Sequence, residues 1–302
     1  MRFLTDGLML PEGPIALADG SLMVVEVLGG RLTRIAPDGA RSVVAELGGG
    51  PNGAAIGPDG RCYVCNNGGL DHIELEGGAL VPQEAPIDTP PGSIQVVDLA
   101  TGAFEMLYAH GEATPFWGPN DIVFDRDGGF WFTDFGRDRG RVRMRGAVYY
   151  ARADGSGIRE VIAPIDAPNG IGLSPDGRTL YVATTYEAHL LSFRLSAPGV
   201  VDRSAGQMPG GATIVGRAGA GQYLDSLAID RQGRICVASP GIGAILVFPA
   251  GGGAPMAIDM PDFLTTNICF GGADLTTAYV TLGSSGRVAM LDWDTPGLPL
   301  AF

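Results

Sequence analysis

The chain has 302 residues, a formal net charge of −13, 45% hydrophobic but only 18% charged side chains, and 48 glycines beside 22 prolines. That balance excludes a disordered chain, since there is ample apolar material for a core, and the acidic excess argues against a phosphate-backbone partner, because nucleic-acid binding needs Lys and Arg to neutralise phosphates. No apolar stretch reaches the length of a membrane span or a signal-peptide core, so the sequence predicts a cytoplasmic protein without nucleic-acid or membrane partners.

In chain order, residues 2–6 read as a short strand with no partner nearby. Six repeats follow, at 11–25, 51–64, 119–132, 168–182, 224–237 and 266–280. Each is a small apolar cluster headed by one polar residue, closed by an Asp-Gly or equivalent turn and followed by a strand-like run. In the third, Ile122, Val123 and Phe124 lead to the turn Arg126-Asp127-Gly128-Gly129, and Phe130, Trp131 and Phe132 return. Aromatic and β-branched residues flanking Asp-Gly are a strong hairpin signal. A further pair at 146–151 and 158–162, around Asp154-Gly155, completes four antiparallel strands. The pairs at 31–35 with 42–45, 93–97 with 104–107 and 244–248 with 255–258 repeat the scheme.

Self-similarity at roughly 40 to 50 residues is the mark of propellers and solenoids. The sequence therefore predicts an all-β fold, a six-bladed β-propeller with four antiparallel strands per blade and almost no helix, in which 1–302 is one domain. The sixth repeat shows three strands, the last at 288–293. The orphan segment 2–6 supplies its outer strand and closes the ring.

Several familiar chemistries are missing. Cys62 and Cys65 form a C-x-x-C, but their odd separation on a strand sends them to opposite faces, which predicts packing rather than zinc or redox work. His72, His110 and His189 stand singly, and no G-x-S-x-G elbow occurs.

What remains is the set of repeat heads: Glu12, Asn52, Asn120, Asn169, Asp225 and Asn267. The innermost strands of a propeller surround its axis, so equivalent positions gather there although 40 to 68 residues separate them in sequence. Carboxylate and amide oxygens are hard ligands suited to Ca²⁺, Mg²⁺ or Mn²⁺. The competing reading is local, since Asn and Asp at strand starts also bond their own backbone. Recurrence at one phase favours the metal.

The strings Leu10-Pro11-Glu12-Gly13-Pro14, Gly118-Pro119-Asn120-Asp121, Ala167-Pro168-Asn169-Gly170-Ile171 and Leu224-Asp225-Ser226-Leu227 resemble the regucalcin (senescence marker protein) and gluconolactonase family, over essentially the whole chain. The resemblance implies one divalent cation in the channel of a six-bladed propeller, held by Glu12, Asn120, Asn169 and Asp225, with Ca²⁺ the first choice and Mg²⁺, Mn²⁺ or Zn²⁺ as alternatives. Asn52 matches a position that contacts substrate or bound water. Regucalcin-like members carry an Arg two residues before the third-blade Asn, where this chain has Gly118 after Trp117.

The resemblance further implies a hydrolase that opens a small lactone, sugar-derived or simpler, by water attack on a cation-polarised carbonyl. Asp225 is the candidate catalytic group, as base or as nucleophile. Trp117 and Tyr186, with Phe116 and Phe135 nearby, predict an aromatic channel mouth that binds substrate, and the long connection 68–91 reads as a lid. Two other classes stay open: a metal-dependent organophosphate hydrolase resembling diisopropylfluorophosphatase, and a non-enzymatic interaction propeller. The expected assembly is a monomer or weak homodimer.

Overall fold

A computed structural model describes residues 1–86, 88–112 and 114–302. Among them the only helical element is the single 3₁₀ turn Pro209–Gly211, and no helix is long and apolar enough to cross a membrane. Among them six antiparallel sheets, of four strands each except for five in the fourth, follow one another in chain order beside one two-stranded hairpin. The innermost strands, from the first sheet to the sixth, are Pro11–Ala16, Pro51–Ile56, Pro119–Phe124, Pro168–Leu173, Leu227–Ile229 and Thr265–Gly271. Arg2–Thr5 pairs with Arg287–Asp292 and forms the outer edge of the sixth sheet, so chain start and chain end share one blade. The six-bladed propeller and its closing strand are as the repeats predict.

Alternation along the strands builds the core. In Cys62–Asn66, the side chains of Cys62 and Val64 pack with Ile15, Met23 and Val25 of the first blade, whereas Tyr63 and Cys65 pack with Phe124, Phe130 and Phe132 of the third. A period of two thus lets one strand serve two inter-blade layers. Six such apolar clusters lie at the six blade junctions. The junction between blades two and three is aromatic: Phe132 stacks on Tyr149 at 5.1 Å, and Phe116 meets both edge-on at 5.4 and 5.3 Å. Phe116 is fully buried there, so the expectation that it lines the channel mouth is corrected; it serves packing. The four cysteines are free, and burial pushes each thiol up, Cys62 and Cys269 to about 12, which leaves them unreactive apolar groups.

One irregularity recurs at the axis. Pro51 pairs with Asn66 and Ala54 with Val64, so Asn52 and Gly53 together face Cys65. Likewise Asn120 and Asp121 share Thr133, and Asn169 and Gly170 share Ala183. The first inner strand shifts register between Glu12 and Ile15. Each is a β-bulge, which bends a strand and re-aims a side chain. The glycine after the head residue has a separate reason. A Cβ on Gly53 would lie 2.4 Å from Asn120 O, and one on Gly13, at φ 50°, would lie 2.7 Å from Asn52 O. Neighbouring inner strands approach too closely for a side chain there.

Candidate functional site

The bulged strand starts converge on a cavity of about 480 Å³ at one end of the channel. Glu12, Asn52, Asn120, Asn169 and Asp225 all line it, drawn from blades one to five, and Trp117 and Tyr186 stand in its wall. These seven candidates for metal, substrate and catalysis are therefore in one place, whereas the sixth repeat head, Asn267, lines the cavity at the other end. Glu12, Asn120 and Asn169 are buried, while Asn52 and Asp225 keep partial exposure. A second cavity of about 450 Å³ opens at the other end, walled partly by residues 298–302, and none of those seven residues lines it.

The hydrogen bonds separate the heads into two kinds. Glu12 Oε2 accepts from Gly13 N at 2.8 Å and from Asn267 Nδ2 at 2.7 Å, and Asn267 Oδ1 accepts from its neighbour Ile268 N at 2.7 Å. Asn267 thus has the local backbone bond of the competing reading and props Glu12. Asn169 is held from behind: Nδ2 donates to Thr185 Oγ1 at 3.1 Å, and that hydroxyl donates to Leu224 O at 2.8 Å. Its Oδ1, and the Oδ1 of Asn120, are buried with no hydrogen-bond partner among the described residues. Buried acceptors in native proteins are nearly always satisfied, so two orphaned amide oxygens at one cavity call for a bound group.

The electrostatics point the same way. Burial raises Glu12 well above the usual carboxylate range, with Asp225 adding like-charge repulsion. Burial and then Asp121 push Asp225 up to about 7 against the pull of Asn169 and the Ser226 N–H. Asp121 itself is pushed up to about 7 by burial. Three acids stand near the axis, and among the described residues no cation is a hydrogen-bond partner of theirs. Among the described residues no three His, Cys, Asp or Glu side chains cluster as a metal site, which fits a donor set half made of amides. Hard anionic and neutral oxygens suit a divalent cation of the calcium kind.

Sequence reasoning missed Asp121, Asp134 and Arg137. The signal for Asp121 was present: it occupies the phase where the first, second and fourth repeats carry Gly13, Gly53 and Gly170. Asp134 accepts from Trp117 N at 2.8 Å, Gly118 N at 2.7 Å and Gly136 N at 3.0 Å, which fixes the loop that presents Trp117. No local pattern announces that role. Around the mouth, Phe135 meets Tyr186 edge-on at 5.7 Å, and Tyr186 meets Tyr223 at 6.2 Å. The connection 68–91, whose residue 87 lies outside the described residues, forms the hairpin His72–Glu74 with Leu80–Pro82. Leu80 N reaches Ser284 O in the sixth blade at 2.9 Å, and Pro82, Gln83 and Glu84 line the cavity. That excursion covers one side of the mouth.

Comparison with known proteins bears on the family and the fold. Residues 10–284 match the SMP-30/Gluconolactonase/LRE-like region. The lactonase drp35 of Staphylococcus haemolyticus is 31% identical over 82% of this chain and 68% of its own length, and that of Staphylococcus saprophyticus is 32% identical over 84% and 71%. A gluconolactonase from Xanthomonas campestris superposes with a TM-score of 0.75 at 24% identity, covering 97% of this chain and 89% of that one. Regucalcin from Agrobacterium tumefaciens, described as calcium-binding, superposes with a TM-score of 0.76 at 21% identity, covering 100% and 97%. At these identities the two structures speak for the fold.

Proposed function

The chain belongs to the SMP-30/gluconolactonase/LRE-like family, and from that membership and its axial cavity we propose that it is a metal-dependent lactonase. The observation that carries the metal is the pair of buried, unpartnered Oδ1 atoms of Asn120 and Asn169 beside the Glu12 and Asp225 carboxylates. Those four residues would hold one divalent cation, Ca²⁺ by donor chemistry. It would polarise the lactone carbonyl and stabilise charge developing on its oxygen.

The remaining work falls to the chain. Asp225, a carboxylate with partial access to the cavity, accepts the proton of the attacking water. Asn267 and Gly13 N fix the Glu12 carboxylate, and Thr185 fixes the Asn169 amide, so the oxygens are oriented before substrate arrives. Asn52 is placed for a hydroxyl or a water of the substrate complex. Trp117 and Tyr186 supply flat apolar walls, which favour a small five- or six-membered ring over an extended chain. Gly118, where an arginine would reach sugar hydroxyls, leaves that wall open.

A pH-stat panel tests this reading. Small neutral lactones, a sugar lactone and a diisopropyl phosphofluoridate are offered to the same enzyme with added Ca²⁺. Lactone opening without release of fluoride from the phosphofluoridate supports the proposal. The reverse pattern would establish an organophosphate hydrolase instead.

A further inference from the structure

Residues 137–145 read Arg-Asp-Arg-Gly-Arg-Val-Arg-Met-Arg, five arginines against one aspartate in a protein of net charge −13. They form the tip of the hairpin Gly129–Arg139 with Val142–Arg152, whose eleven-residue strands outrun those of the neighbouring blades and rise beside the catalytic mouth. The arginines differ in what they touch. Arg143 is spent: it makes a two-pronged pair with Asp138 at 2.7 Å, reaches Asp166 at 3.3 Å and covers the Tyr186 ring at 4.3 Å. Arg139 lies over the Trp117 ring at 5.3 Å and forms no ion pair among the described residues.

Arg137 is the unusual one. It is 7% exposed and lines the same cavity as Glu12, Asn120, Asn169 and Asp225. Its guanidinium donates from Nη2 to Asn67 O at 2.7 Å and from Nη1 to Thr89 O at 3.1 Å and Pro90 O at 3.3 Å. Those bonds satisfy one side of the fork. Among the described residues Nε has no acceptor and the group has no ion pair, while the nearby Asp134 carboxylate is occupied by three backbone N–H groups. Burial and then the Arg139 charge weigh against this cation, Asp134 offsets them only in part, and the Nε–H with the remaining Nη2–H is the edge that grips a carboxylate or phosphate in two-pronged fashion. The acids on the cavity wall are otherwise placed: Glu12 and Asp225 at the axis, Asp138 under Arg143, and Glu84 on the 68–91 excursion.

We propose that the substrate is a lactone carrying an anionic substituent, a carboxylate or a phosphate, which docks on Arg137 with help from Arg139 while the ring carbonyl faces the axial oxygens. This rests on the lactonase reading and narrows its substrate class. Anchoring by an oriented charge in the wall of a cavity of about 480 Å³ fixes the ring against the axis in one orientation.

The test compares kcat/KM for three δ-lactones that differ only in one exocyclic group: methyl, carboxylate and phosphate. Wild type should prefer a charged member, with a preference that shrinks as salt is added. In Arg137→Gln the charged-to-neutral ratio should fall about 30-fold, the lower range for truncating one member of a buried charge pair, and Arg137→Lys should recover part of it. The favoured charged member identifies the group. A ratio that stays within tenfold of wild type in Arg137→Gln, both lactones falling together, would make Arg137 merely a pin for the 68–91 connection and overturn the proposal. If wild type opens none of the three lactones, the lactonase reading fails, and calorimetry with the ring-opened hydroxy acids judges the anion site alone. Binding weakened tenfold or more by Arg137→Gln upholds the site, and unchanged binding removes it.

Discussion

Replacing Asp225 by asparagine should make the cation-free protein more stable while blunting its response to cations. Without a cation, burial and then Asp121 push Asp225 up to about 7 from its ordinary 3.8. An acid whose proton is held more tightly in the folded than in the unfolded chain contributes stability that is full below the unfolded value and lost as the pH rises through the folded one. Three decades of separation correspond to roughly 4 kcal/mol lost by pH 8, at about 1.4 kcal/mol each. Asparagine keeps the shape and cannot ionise. Cation-free Asp225→Asn should therefore melt above wild type at pH 8, by roughly 8 °C for a chain of this size, and the difference should vanish near pH 4. Calcium at a hundred times its dissociation constant should raise wild type by about 2.7 kcal/mol and the variant by far less. Scanning calorimetry at both pH values, with chelator and with Ca²⁺, reads all four quantities. A variant that melts with or below cation-free wild type at pH 8 would refute the electrostatic reasoning.

Asn169→Ala and Asn120→Ala should each weaken Ca²⁺ binding at least about tenfold, because each removes a neutral oxygen donor without touching the charge balance; titration calorimetry checks this. Phe132→Ala should cost about 3 to 5 kcal/mol in chemical denaturation, as it empties the aromatic junction between blades two and three without entering the channel. Gly53→Ala should lower both stability and cation affinity, since its Cβ would press on the backbone carbonyl of Asn120, and denaturation with and without Ca²⁺ reads the two effects. Deleting residues 1–6 strips the outer strand from the sixth blade and should raise amide exchange first in Arg287–Asp292.

The fold was legible because each blade is a local object. Hairpins such as Phe130 to Phe132 across Asp127-Gly128 declare themselves within a dozen residues, and six copies at one period leave few architectures. The ligand candidates were legible for the same reason, since Asn52, Asn120 and Asn169 share one phase. What stayed hidden depends on contacts between repeats. The bulges that turn Asn120 and Asn169 toward the axis follow from pairing register, and the burial of Phe116 from how blade three leans on blade two. Arg137 could be seen as one of five arginines. Its lack of a direct ion pair among the described residues emerges only when Asn67, Thr89 and Pro90 close around it.

Asn267 shows how a repeat pattern overreaches. It shares the phase of the other heads, yet it bonds its own chain and the Glu12 carboxylate. Phase alone therefore marks a position at the axis, and the state of each oxygen decides its role. The orphaned Asn120 and Asn169 oxygens pass that criterion.

The most direct test of the central claim follows cation binding and lactone opening in one titration. Protein stripped with chelator and dialysed should leave the preferred lactone uncleaved, and stepwise Ca²⁺ should restore turnover in proportion to occupancy of a single calorimetric site, with Asp225→Asn inactive throughout. Full turnover in the stripped protein, or turnover that rises independently of that site's occupancy, would contradict the account.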